Sequence, residues 1–284
     1  MIIVLKNGRL GNQLIQRHLL SKMFPREKKI YLGFSDLRSI TANTRYVSLS
    51  AQSRVTRRGL AALSRFFSAL TEKKVLSEVV EHRQSGQVTI KKGLINNLKV
   101  SRNVFGQHGA HLEDFKIASY LAKDLDGWSL DRFFGQEARG TAHTLVFVHV
   151  RGGDYFQWPD PNHPAILPPE WYARAMNRIR SAVEEPQFLV FTDDPDYARQ
   201  VIGQDADVRF HEGSATEALA LMGSCAHGIL SASSFAFCGA ALIRERASHQ
   251  GRAPILLAPR CWAGHSRGAW YPEGFRVSWL EYLT

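Results

Sequence analysis

Apolar residues fall in two rhythms along this chain. Residues 2–5 form a short run that ends at Asn7-Gly8, and a helical pattern from about 12 to 24 is stopped by Pro25. A second apolar run follows at 29–33, so the opening predicts strand, helix, strand. Farther on, 144–150 and 187–191 are nearly continuous apolar stretches, as expected of strands buried on both faces of a parallel sheet. Helical spacing runs over 169–183, with Pro168 and Pro169 at its start, and returns over 217–225 and 235–246. Short strands are predicted at 228–230 and 254–258. Alternation of this kind in both halves predicts an α/β fold of two doubly wound domains, with ligands at the carboxyl ends of the strands in the cleft between them.

Charge divides the chain as well. Residues 1–142 hold 24 Lys and Arg against 11 Asp and Glu, residues 143–284 hold 12 against 15, and no lysine follows Lys123. The polar stretch 139–142 is therefore the expected junction between a basic domain, 1–142, and a second domain, 143–270, with a tail, 271–284, expected to pack back toward the first. Such asymmetry points to an anionic partner. Within the basic half, Leu60, Leu63, Phe66, Phe67 and Leu70 recur at helical spacing among Arg57, Arg58, Arg65, Lys73 and Lys74. Two readings stay open: a helix lying on anionic lipid, or a surface helix that packs its stripe on the domain core. No RRM, KH, HTH or zinc-finger pattern is present, so nucleic acid is not an expected partner.

The composition, 44% hydrophobic and 22% charged, excludes a disordered or fibrous chain. Four apolar residues after Met1 are too few for a secretion signal or a membrane span, which sets the expected location in the cytosol. Cys225, Cys238 and Cys261 are odd in number and form no CxxC pair, so buried reduced thiols are expected.

Four clusters could carry chemistry. His149-Val150-Arg151-Gly152-Gly153-Asp154-Tyr155 stands where a predicted strand ends. There an Arg can grip phosphate, glycines admit backbone N–H groups to an anion, and an Asp can orient a hydroxyl or take its proton. Asp193, Asp194 and Asp196 follow the next strand. They fit either a DxD-type divalent-metal site at Asp194 and Asp196 or a loop in which an Asp caps the following helix. Ser231-Ala232-Ser233-Ser234-Phe235 offers small-residue donors at a helix N-terminus, or simply a serine cap. Gly8-Arg9-Leu10-Gly11-Asn12-Gln13 occupies the first β-α turn and matches neither a Rossmann nor a Walker loop.

In this order the four segments resemble the bacterial α-1,2-fucosyltransferases, marked by GRxGNQ, HxRRGDY, FSDD-like and NSSFSWWGA-like motifs. Ala258-Pro259-Arg260-Cys261-Trp262 is similar to that family's APxxWF segment, and 270–275 also looks familiar. The resemblance implies a GT-B fold of two Rossmann-like domains, with GDP-L-fucose as donor on the C-terminal one and the acceptor sugar approached by the N-terminal one. It implies no cofactor and no metal. Carried over, Arg151 would hold the β-phosphate and stabilise departing GDP, and His149 would shape the nucleotide pocket. Ser233, Ser234 and the helix start at Phe235 would donate to phosphate, and Asp193 and Asp194 would orient the Arg-bearing loop. Gly11, Asn12 and Gln13 would come from the opposite domain.

Displacement at the anomeric carbon would invert a β-linked donor to an α-linked product, with Asp154, Asp160 and His163 as candidate bases. The chain departs from the motifs at Gly152, where the second Arg would stand, and at Ala232. Near the position of an Asp that could pair with the guanine edge it offers Glu217, displaced by one residue, or Ala218. Three functions follow. One is an inverting fucosyltransferase acting on a surface-glycan acceptor, at O-2 of a galactose-type residue, drawn to the inner face of the inner membrane by the basic domain. The others are a non-catalytic GDP-sugar-binding protein and a metal-dependent glycosyltransferase using Asp194 and Asp196.

Overall fold

Ile2–Leu5 (β1) is buried at every position, as a strand in the middle of a sheet must be. The computed structural model describes residues 1–34, 46–49, 53–118, 144–262 and 276–284. The predicted junction at 139–142 and the segment 270–275 lie outside the described residues. The chain divides into two compact units, Met1–Lys123 and Asp124–Thr284, so the division falls after the last lysine.

In the first unit β1 leads through α1 (Leu10–Met23) to β2 (Lys29–Leu32) and β3 (Tyr46–Leu49). Then come α2 (Arg54–Glu72), the strands β4 (Leu76–His82), β5 (Gln87–Lys91) and β6 (Ile95–Ser101), and a short α3 (Gly109–Leu112). The sheet order is β3-β2-β1-β6-β4-β5, parallel except for the β4–β5 hairpin. Strands β4 to β6 carry no clear sequence signal, because the edge strand β5 and the start of the interior strand β6 present exposed, largely polar residues. The amphipathic helix is α2, begun by a capping box in which Ser53 and Thr56 bond each other's backbone N–H. Its Leu60, Leu63, Phe67 and Leu70 pack on the core formed by Ile3, Leu5, Leu32, Leu76 and Val100. Core packing thus accounts for the stripe, and Phe66 alone of its five residues stays 56% exposed.

The second unit runs β7 (Thr144–Val150), a 3₁₀ turn (Gly153–Phe156) and a small hairpin, β8 (Pro159–Asp160) with β9 (His163–Pro164). It continues through α4 (Pro169–Arg180), β10 (Pro186–Thr192), α5 (Pro195–Ile202), β11 (Val208–Phe210), α6 (Ala215–Ser224) and β12 (His227–Ile229). It ends with α7 (Ser234–His249), β13 (Leu256–Pro259) and β14 (Glu281–Leu283). All six strands of its main sheet are parallel, in the order β11-β10-β7-β12-β13-β14. Numbered within the unit this is 3-2-1-4-5-6, the Rossmann order, whose switch point lies between β7 and β12. At the C-terminus β14 pairs with β13 from Leu257 to Pro259 and completes this second sheet, covering an otherwise open edge. Cys225 and Cys238 are buried thiols in no disulfide, as expected, whereas Cys261 is only half-buried.

Candidate active site

The carboxyl end of β7 at the switch point is where an α/β sheet of this order leaves room for a ligand. His149, the last residue but one of β7, is buried, and its Nδ1 lies 2.7 Å from Ser231 Oγ beyond the end of β12. Burial, with Arg151 close by, pushes the His149 imidazole down to about 3, so the ring is neutral at ordinary pH. Its other neighbour is Phe235 at the start of α7, 5.9 Å between ring centroids.

Arg151 follows, with its side chain only 13% exposed. One terminal nitrogen donates to Asp193 Oδ2 and the other to Asp154 Oδ1, while the guanidinium lies over the Tyr155 ring, 4.8 Å from its centroid. A guanidinium has five N–H donors in a rigid fork, so two such bonds leave donors for a further anion. Asp193 also accepts from Gly152 N at 3.1 Å, and Asp194 accepts from Gly153 N at 3.3 Å. The two carboxylates therefore fasten the loop after β7 to the loop after β10. Tyr155 fastens it on the other side by donating to Ala232 O at 2.9 Å. Burial raises that phenol to about 12, so it remains a donor.

Gly152, where the resembled motif has a second Arg, is shaped by this closure. A Cβ there would lie 2.6 Å from the Asp194 Cβ, closer than side chains approach. Asp194 itself caps α5 by accepting from Tyr197 N at 3.2 Å. Asp196 points into solvent, with Arg199 at 3.7 Å. The pair thus serves as a cap and a surface charge, and among the described residues no three His, Cys, Asp or Glu side chains gather into a metal-binding group.

Ser233 is the N-cap of α7, accepting from Phe235 N at 3.2 Å, and places the Ser234 and Phe235 end of that helix beside His149. The structure thus gathers His149, Arg151, Asp154, Asp193, Asp194, Ser233, Ser234 and Phe235 around one strand end. The other candidates make contacts of their own. Asp160 and His163 bond each other at 3.1 Å on the exposed β8–β9 hairpin. Glu217 lies in the first turn of α6, its carboxylate 3.8 Å from His211 Nε2. Gly11, Asn12 and Gln13 begin α1 in the first unit, where Asn12 Oδ1 accepts from Gln107 Nε2 at 2.7 Å and Gln13 Nε2 donates to Gly8 O at 3.2 Å. Gly8, at φ +75°, leaves the space that Asn12 fills. Tyr155, to which the sequence reading gave no role, is the site residue it missed. Its signal was its place at the end of the Arg-Gly-Gly-Asp run.

Comparison with known proteins bears on what this site is. The sequence model of glycosyl transferase family 11 matches residues 131–280, more than half of the chain. Galactoside alpha-(1,2)-fucosyltransferase 1 of Saimiri sciureus is 33% identical over 105 residues, 35% of this chain and 29% of that protein. Its counterpart in Aotus azarae is 34% identical over the same shares. The matched region thus spans under a third of the length of these relatives. Among solved structures, the glycosyl transferase family 9 protein from Veillonella parvula has a TM-score of 0.51 at 12% identity, covering 97% of this chain and 84% of that one. A NodZ alpha-1,6-fucosyltransferase soaked with GDP-fucose has a TM-score of 0.46 at 12% identity, covering 85% and 92%. The fold is of the GT-B type, two Rossmann-like units, and the chain belongs to glycosyl transferase family 11.

Proposed function

We propose that the protein is an inverting fucosyltransferase that moves L-fucose from GDP-L-fucose to a hydroxyl of a surface-glycan acceptor, O-2 of a galactose-type residue. The observation that carries this reading is Arg151, held by Asp193 and Asp154 over Tyr155 at the switch point of a 3-2-1-4-5-6 sheet. A guanidinium fixed before the donor arrives stabilises charge growing on the GDP oxygens without reorganising, which is the economical way to assist a leaving group. On this reading no metal is needed, because Arg151 and the N-terminus of α7 supply the positive potential. Neutral His149 keeps the wall of the nucleotide pocket uncharged.

Asp154 is the more exposed of the two carboxylates on Arg151, at 58%. An arriving diphosphate competes with it for the same guanidinium nitrogen. Displaced, it becomes a carboxylate near the reacting centre, able to take the acceptor proton as the new glycosidic bond forms. The basic first unit is read as the acceptor side. The whole protein is read as cytosolic and peripheral on the anionic inner face of the membrane, which the excess of Lys and Arg before Lys123 supports. Among the described residues no helix is long and apolar enough to cross a membrane.

The test is GDP release from GDP-L-fucose, with GDP-mannose and a UDP-sugar as controls, with and without EDTA. Release should be stimulated by acceptor, specific for GDP-L-fucose and indifferent to EDTA. GDP binding without turnover of any donor over a broad acceptor panel would instead establish the non-catalytic binding protein. Co-sedimentation with vesicles that ignores both anionic lipid and salt would remove the membrane part.

A further inference from the structure

The first unit contains a cavity of about 750 Å³, and small-molecule sites span roughly 300–1,000 Å³. Its floor is the carboxyl end of β1, β2 and β6, and its wall is one face of α2. In this sheet β2 and β6 lie on opposite sides of β1, so the cavity sits at the switch point of the first unit, the place where such sheets hold ligands.

Lys6, Arg57 and Arg65 line the cavity, joined by the hydroxyl-bearing Ser64 and Ser68. Among the described residues none of the three cations makes an ion pair and no carboxylate lines the cavity. Arg102, a fourth cation on the wall, is different, because Glu72 and Glu78 both bond it at 2.6 Å. The unit thus neutralises the arginine it uses to join β6 to its neighbours and leaves three cations lining one cavity with no ion-pair partner among the described residues. Like charges so placed repel one another, and an oxyanion among them relieves the repulsion while taking the bidentate bonds that guanidinium offers.

We propose that this cavity binds an oxyanion of the acceptor, the phosphate or carboxylate of a charged glycan. Its assignment to the acceptor rests on the transferase reading above. The binding itself does not. The test is calorimetric titration of the full chain, saturated with GDP, with inorganic pyrophosphate and separately with glucuronate. At least one of the two should bind the wild type, weaken at least tenfold in Arg57→Gln/Arg65→Gln and weaken less in Lys6→Gln. GDP binding and the urea midpoint of the double variant should be unchanged. Preference for pyrophosphate or for glucuronate identifies a phosphorylated or an acidic-sugar acceptor. Failure of both anions to bind, or equal binding to the double variant, overturns the proposal while leaving GDP binding at Arg151 intact. Should GDP itself not bind, the transferase reading fails, and the same titration in Arg151→Ala without GDP still decides the cavity.

Discussion

Arg151 in the second unit and Arg57 with Arg65 in the first serve the same kind of place, the switch point of a six-stranded sheet, and they are handled in opposite ways. Two carboxylates and a tyrosine ring fix Arg151 before any ligand arrives. Arg57 and Arg65 lie on an exposed helix face with no acidic partner among the described residues. A cation fixed by its carboxylates suits a charge that develops during reaction, since nothing has to move to meet it. Loose, unneutralised cations suit attraction and capture, and the price is sensitivity to salt, because exposed charges are screened over about 8 Å at physiological ionic strength. Raising salt should therefore weaken anion binding in the first unit far more than GDP binding in the second.

The largest effect that can break this comparison is at Arg151. Arg151→Ala should lower acceptor-stimulated GDP release by about 10²–10³-fold, the scale on which one preorganised donor to developing charge acts. Arg151→Lys should recover little of it, because an ammonium cannot span Asp193 and Asp154 as a planar fork does. Near-wild-type release by the lysine variant would mean that charge alone is used.

Next in size is the pH dependence of stability. His149 is about 3 folded and 6.5 unfolded, so the unfolded chain binds the extra proton between those values and stability falls as pH drops from 6.5 toward 3. At pH 4.5 this amounts to about 3 kcal/mol. His149→Asn should flatten the urea midpoint between pH 6.5 and 4.5. A residual slope of the same sign should remain from His18, His211 and His227, which burial also shifts downward. An unchanged slope in the variant would show that the ring is not buried as described.

How far all this was legible beforehand differs between the units for physical reasons. The Rossmann strands of the second unit are buried on both faces, so 144–150 and 187–191 read directly as strands. The helix at Pro169–Arg180 announced itself by its proline start. In β4 to β6 and β11 polar residues interrupt the pattern, and β14 is three residues at the C-terminus; pairing with neighbours makes them strands, and no local rhythm encodes that. At the site, the sequence marked Arg151, Asp193 and Asp194 as a family pattern. That both Asp side chains bond the loop after β7 follows only from β10 lying next to β7. The cavity in the first unit was illegible, because Lys6 and Arg65 come to line one cavity only once α2 is laid across the strand ends.

Gly152 tests the rigidity of the second site at smaller cost. Gly152→Ala should destabilise by about 1–3 kcal/mol, the usual penalty for overpacking, since its methyl meets Asp194 at the cap of α5. Gly152→Arg, which restores the HxRRGDY pattern, carries the same Cβ and should be no more stable. A Gly152→Arg protein with wild-type melting temperature and higher turnover would show that the β7 and β10 loops separate easily.

The smallest effect concerns which face of α2 belongs to the first unit's core. Phe67 packs on Ile3, Leu5 and their neighbours, whereas Phe66, its ring centroid 5.7 Å away, is mostly exposed. Phe67→Ala should cost about 2 kcal/mol, roughly half the value for a fully buried phenylalanine. Phe66→Ser should fall within about 0.5 kcal/mol of wild type, as surface changes do. Equal losses in the urea midpoints of the two variants would mean that the helix is rotated from its described position. Arg57 and Arg65 would then turn with it, and the cationic cavity would lose its wall.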